Sequence, residues 1–129
     1  MKFLGILIAA SALALGACAG ATPIYNVEQA PIVLPPGKSA NMNQVTTAIM
    51  RAGSSLGWQM QPEGPGKLTG RLNVRNLQAI IDVTHDTKSY SIKYRDSQGL
   101  NARDGTIHKN YNGWIQNLDK RIRTELNLL

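Results

Sequence analysis

Apolar residues in this chain follow two different periods, and the change from one to the other outlines a fold. Over Met42–Leu56 the apolar positions are Met42, Val45, Ile49, Ala52 and Leu56, one face of a helix. Ser39 or Asn41 can cap its start with a side-chain oxygen, and Gly57 suits a left-handed residue after its last turn. From Trp58 the period shortens to two. Trp58 and Met60 alternate with Gln59 and Gln61, and Leu68, Gly70, Leu72 and Val74 alternate with Lys67, Thr69, Arg71 and Asn73. Such alternation marks strands with one buried face and one open face.

The same alternation predicts a register. A tight turn at Arg75-Asn76 pairs Leu72 with Ala79, Gly70 with Ile81 and Leu68 with Val83. A turn centred on Asp86-Thr87 pairs Val83 with Tyr90, Ile81 with Ile92 and Ala79 with Tyr94. A loop over Pro62–Gly66 puts Met60 opposite Leu68 and the Trp58 indole over Gly70. A slip by one residue turns Ser91 or Lys93 onto the buried face, so the pattern opposes it.

The helical period returns at Ile107 or Tyr111 and runs to Leu129. Its stripe is Ile107, Tyr111, Trp114, Ile115, Leu118, Ile122, Leu126 and Leu129, with Thr106 or Asn110 as the cap. Gly113 inside this stretch costs about 1 kcal/mol relative to Ala, which suggests a position where a side chain would block packing on the sheet. The predicted fold is therefore α+β, a four-stranded antiparallel meander sheet packed on one face by two helices as a two-layer sandwich. Ile24–Val27 can add an edge strand, because Pro31, Pro35 and Pro36 confine that segment to an edge or an extended path.

Composition changes the picture at one point, the cysteine. The 129 residues include one Cys and two His, with a formal net charge of +6. One cysteine excludes an internal disulfide framework and a Cys-rich metal site. At the N-terminus Met1-Lys2 precedes an apolar run over Phe3–Leu15, the length of a secretory signal and short for a membrane span. The run ends in Leu15-Gly16-Ala17-Cys18, which resembles the lipobox of bacterial lipoproteins. The resemblance implies a diacylglyceryl group on the Cys18 sulfur, cleavage before Cys18 and acylation of the new amino group. Two or three acyl chains give stable membrane anchoring. Ala19 rather than Asp after the cysteine resembles cargo forwarded to the outer membrane, with the domain facing the periplasm. The expected organisation is a lipoprotein signal peptide over 1–17, a lipidated tether with an edge strand over 18–37, and one α+β domain over 38–129.

Candidate chemistry is sparse. His85 beside Asp86 reads as a solvated turn, since neighbouring strand residues point to opposite faces. His108 lies at or before the first turn of the last helix, where Tyr94, Asp96, Ser97, Tyr111 and Asn112 can surround it. That set is either a small polar site or a structural network that locks the Asp96–Asn110 connection. The chain contains no Gly-x-Ser-x-Gly, no Walker loop and no metal-ligand spacing, so no catalytic residue, cofactor or metal is expected. Lys67, Arg71, Lys93 and Arg95 fall on the open sheet face with Ile80, which is expected opposite Lys93. That face is either an ordinary solvated surface or a contact for an anionic envelope component. The extracytoplasmic address argues against nucleic acid.

Trp58-Gln59-Met60, Tyr90-Ser91-Ile92-Lys93-Tyr94, Asp96-Ser97, Ile107-His108, Tyr111-Asn112 and Trp114-Ile115 together are similar to a group of small outer-membrane lipoproteins of Gram-negative bacteria. The group has no established mechanism, so the resemblance implies an envelope lipoprotein with a compact α+β domain and supplies no catalytic residues. The leading expectation is a non-catalytic, lipid-anchored binding or assembly module that contacts an envelope component or envelope protein. An alternative is a small-molecule or lipid binder with a cleft between helices and sheet, lined by Tyr90, Tyr94, Tyr111 and Trp114. A minor alternative is a small hydrolase centred on His108.

Overall fold

The structure, a computed structural model, describes residues 20–129. The expected signal peptide, the Leu15-Gly16-Ala17 motif and Cys18 lie outside the described residues. In chain order the elements are β1 (Ala21–Pro23), β2 (Val27–Pro31), α1 (Met42–Ser55), β3 (Gln59–Gly64), β4 (Lys67–Val74), β5 (Leu77–His85), β6 (Ser89–Gln98), β7 (Thr106–His108) and α2 (Lys109–Asn127). The class is α+β, as the periodicity predicts, but the sheet has five strands rather than four, in the order β2-β6-β5-β4-β3. A second, two-stranded sheet pairs β1 with β7.

Both departures come from the N-terminal segment. The expected edge strand forms as β2, starting at Val27, while Ile24–Asn26 of the segment expected for it is the link between β1 and β2. Its polar groups are taken elsewhere: Ile24 N–H donates to Gly105 O and Tyr25 N–H to the Asn112 side chain. β2 then lies along the edge of β6, with Pro31 as its last residue, where a missing donor does no harm. The last helix starts later than its apolar stripe because Ile107 belongs to β7, and His108 is the cap rather than Thr106 or Asn110.

α1 matches its pattern. Asn41 accepts from Gln44 N–H while the Gln44 side chain accepts from Asn41 N–H, a reciprocal cap. Gly57 takes φ +90° after the helix, the left-handed conformation that glycine adopts without strain. The β4–β5 register is the expected one, with Leu72, Gly70 and Leu68 opposite Ala79, Ile81 and Val83.

The other two hairpins are each shifted by two residues, which preserves the faces. In β5–β6, Val83 opposes Ile92 and Ile81 opposes Tyr94. The cause is the Asp86 carboxylate, which accepts from Lys88 and Ser89 N–H at 2.7 and 2.8 Å. That fixes Asp86 as the first residue of the turn and recentres it on Thr87-Lys88. Arg95 is then an extra residue in β6, so Ala79 meets Ser97, and Ile80 opposes Asp96 instead of Lys93. In β3–β4, the strand continues to Gly64 and Met60 opposes Gly70. A Cβ built on Gly70 would lie 2.9 Å from Ile81 Cγ1 and 3.2 Å from the Met60 sulfur, so Ile81 and Met60 rather than Trp58 cover this glycine.

The core joins Val45, Ile49 and Ala52 of α1, Tyr111, Ile115, Leu118, Ile122 and Leu126 of α2, and the inward residues of the sheet, Leu68, Leu72, Ala79, Ile81, Val83, Tyr90 and Ile92. Trp58 and Leu100 are buried with them. Gly113 does not serve close packing: a Cβ there would meet nothing within 4 Å.

Candidate functional site

The residues nearest the expected anchor are held by β1. Ala21, Thr22 and Pro23 pair with His108, Ile107 and Thr106, and Gly20 O accepts from Lys109 N–H at 2.7 Å. Asn112 completes the attachment from the first turn of α2. Its side-chain N–H groups donate to Thr22 Oγ1 at 2.9 Å and Pro23 O at 2.8 Å, and its oxygen accepts from Tyr25 N–H at 3.0 Å. Beside β1 the loop from Gly99 to Gly105 is closed by an Asp104-Gly105 turn, both residues at positive φ, between Arg103 and Thr106. Gly20, Ala21, Asn101, Ala102, Arg103, Thr106 and His108 line a cleft of about 410 Å³ at this end.

The polar set expected around His108 is divided among separate tasks. His108 Nδ1 accepts from Asn110 N–H at 3.2 Å as the cap of α2, which places the ring proton on Nε2. Tyr94 and Ser97 share a hydroxyl–hydroxyl bond of 2.8 Å. The Tyr94 and Tyr111 rings pack edge to face, 5.5 Å between centroids. The Tyr111 hydroxyl is buried without a partner, and its pKa is raised, first by burial and then by Tyr94. Asp96 is exposed and accepts only from its neighbour Ser97 N–H. Of the four aromatics expected to line a cleft between helices and sheet, Tyr90 and Tyr111 are instead fully buried core.

Two buried polar groupings escape the sequence reading. Tyr90 donates its hydroxyl proton to Asp119, whose second oxygen accepts from Arg123 Nη2 at 3.0 Å. Arg123 Nε also reaches the Tyr90 hydroxyl at 3.4 Å. Burial and the Asp119 bond push the Tyr90 pKa up to about 12. The signal was Asp119 itself, a carboxylate four residues after Ile115 and three before Ile122 in the apolar stripe. The second is His85, which is buried rather than solvated. Its Nδ1 faces Asp86 O at 3.0 Å and therefore carries the proton, and its Nε2 accepts from the Thr46 hydroxyl of α1 at 2.8 Å. Parity was the signal here: Ala79, Ile81, Val83 and His85 share the inward face of β5.

On the open sheet face, Lys67, Arg71 and Lys93 stand opposite Thr84, Ile80 and Asp82. Arg95 pairs with Asp82, and that bond raises the guanidinium pKa. The extra residue in β6 brings Asp96 onto this face too. The four cations therefore sit in a mosaic with carboxylates rather than in a single-sign field.

The chain matches no family model, no curated protein and no solved structure. Among the described residues no group of three His, Cys, Asp or Glu is placed to hold a metal ion, and no helix is long and apolar enough to cross a membrane. Asn112, Tyr90, Asp119 and His85 each direct polar atoms at another segment of the chain, and His108 caps its own helix. Their common effect is to fasten elements together.

Proposed function

We propose that this chain is a lipid-anchored lipoprotein of the Gram-negative envelope, held in the outer membrane by acyl chains on Cys18, whose domain is a non-catalytic binding or assembly module. The observation that carries the reading is Leu15-Gly16-Ala17-Cys18 directly after a signal-length apolar run, with the only cysteine of the chain at the position where lipidation needs a nucleophilic sulfur. The resemblance of the Trp58–Ile122 framework to small outer-membrane lipoproteins points the same way. The engagement of the polar side chains in fastening supports a non-catalytic role. The open sheet face with Lys67, Arg71, Lys93 and Arg95 is the surface offered to an anionic envelope component or an envelope protein.

The test is the Cys18→Ser chain expressed beside the native one. The native protein is expected in the outer-membrane fraction with acyl mass on its N-terminal peptide, and the variant outside that fraction without acyl mass, soluble where its leader is cut and on the inner membrane where it is retained. Equal membrane association and equal mass behaviour in the two would overturn the reading. Crosslinking in cells from Lys93 then reports whether the sheet face has a partner.

A further inference from the structure

The segment expected to be a tether is part of the fold. Gly20 is bonded to Lys109, and the next three residues form β1 against β7. Asn112 spends both amide hydrogens and its oxygen on Thr22, Pro23 and Tyr25. Only Ala19 stands between Cys18 and this fastened backbone. Two trans-peptide spacings of about 3.8 Å limit the Cys18 to Gly20 Cα separation to about 7–8 Å. The body of the domain is much longer than that. β5 alone, nine residues from Leu77 to His85, spans about 27 Å.

From this difference in lengths we propose that the domain has a fixed orientation on its membrane. The end built from Gly20–Ala21, Asn101–Arg103 and Lys109 rests against the phospholipid headgroups of the leaflet that holds Cys18, and the Asp86–Ser89 turn points away. The proposal rests on the lipoprotein reading. A diacylglyceryl thioether holds the Cys18 sulfur at headgroup depth because its acyl chains occupy the hydrocarbon. A flexible linker would let the domain diffuse and tumble above the surface. A single residue followed by a paired strand does not.

The surface at that end suits the contact. Asn101, Ala102, Arg103 and Lys109 are exposed. Arg103 is 84% exposed and its ion pair with Asp104 is long, 3.9 Å, so its guanidinium is available to lipid phosphates. The β4–β5 turn with Arg75 lies at the same end of the sheet, since a Cβ built on Gly99 would come within 3.3 Å of Asn76 O and 2.8 Å of Leu77 Cδ2. The opposite end of β5 leads into the Asp86–Ser89 turn.

The test uses the full lipidated protein in vesicles of phosphatidylethanolamine and phosphatidylglycerol. Lipidation consumes the only native thiol, so single cysteines placed by Ala102→Cys or Thr87→Cys can be labelled with a fluorophore. Quenching by headgroup-labelled lipid is expected to be several-fold stronger at Ala102→Cys than at Thr87→Cys. A Gly/Ser insertion of about 40 residues between Ala19 and Gly20, whose root-mean-square span of about 35 Å exceeds the length of β5, should remove the difference. Intact mass separates the two ways of failing. Protein without acyl mass overturns the lipoprotein reading and the orientation with it. Acylated protein with equal quenching at the two sites overturns the orientation alone.

Discussion

Tyr90 of β6 donates its hydroxyl proton to the Asp119 carboxylate of α2, a polar bond made inside the sheet–helix interface. Tyr90 is 1% exposed and Asp119 7%, so water does not compete for either group. Desolvating a carboxylate costs several kcal/mol, offset here by the Tyr90 donor and the Arg123 guanidinium. Apolar contacts tolerate sliding of a helix over a sheet, whereas this bond has one geometry. It fixes which turn of α2 lies over β6.

Removing one partner should therefore cost more than removing both. Asp119→Leu leaves the Tyr90 O–H donor buried without its acceptor and is expected to lose about 1–3 kcal/mol, while Tyr90→Phe, which leaves Arg123 on Asp119, should lose about 1 kcal/mol. Tyr90→Phe combined with Asp119→Leu should recover part of the loss, since two apolar groups need no partners. Urea unfolding of the three variants checks this. Strict additivity of the single and double changes would show that the bond carries no coupling.

The same pair predicts a pH dependence. Folding raises the Tyr90 pKa from the ordinary value of 10.0 to about 12, so the folded state holds its proton where the unfolded state has lost it. The contribution is fully present below pH 10, declines as pH rises from about 10 to about 12, and is gone above that. Its size is roughly 3 kcal/mol. Unfolding free energies measured across that window for the native protein and Tyr90→Phe should converge and then cross as the pH rises, since ionising Tyr90 costs more than removing its hydroxyl. A constant gap between the two would refute the linkage.

How far the sequence disclosed these features depends on whether a periodic pattern or a single polar atom decides them. The faces of β4, β5 and β6 were legible because alternation of Leu68, Ile81, Val83 and Ile92 with polar residues has only one buried solution. The hairpin registers were legible modulo two residues, because a two-residue shift keeps every side chain on its face. What selected between them was the Asp86 carboxylate in the turn and the extra residue at Arg95. β1 and β7 were not legible at all. Three-residue strands carry no period, and their pairing depends on Asn112, nearly ninety positions away in the chain. Of the expected His108 set, Tyr94 does meet Ser97 and Tyr111, whereas the β6 bulge places Asp96 on the open face.

Gly113 offers a gain in stability. It lies within α2, its φ is unexceptional for a helix, and a Cβ there would find open space. Nothing in the fold requires a glycine, so Gly113→Ala should stabilise the protein by about 0.5–1 kcal/mol through the lower backbone entropy of the unfolded chain. A higher thermal midpoint with unchanged membrane association is the expected outcome. A loss of stability would show that the fold does not accommodate a side chain at this position.

Asn112→Ala separates the attachment of β1 from the stability of the core. The three bonds made by the Asn112 side chain hold Thr22, Pro23 and Tyr25 on α2, and none of them reaches the five-stranded sheet. Loss of these bonds leaves the Thr22 hydroxyl, the Pro23 carbonyl and the Tyr25 N–H near enough to the surface for water to replace the amide. The cost should therefore stay near 1–2 kcal/mol, below that of a fully buried group. It should also be local. Hydrogen exchange is expected to speed up about tenfold or more for the amides of Thr22, Ile24 and Tyr25 and for Lys109, whose N–H is held by Gly20 O, because a loss of 1.4 kcal/mol from a local opening is a factor of ten. The amides of β5, paired on both sides in the middle of the sheet, should exchange as in the native protein. A uniform acceleration across β1 and β5 would show instead that β1 unfolds only with the whole domain. In the lipidated protein the same variant lengthens the free chain after Cys18, so it should weaken the expected quenching at Ala102→Cys in step with the exchange at β1.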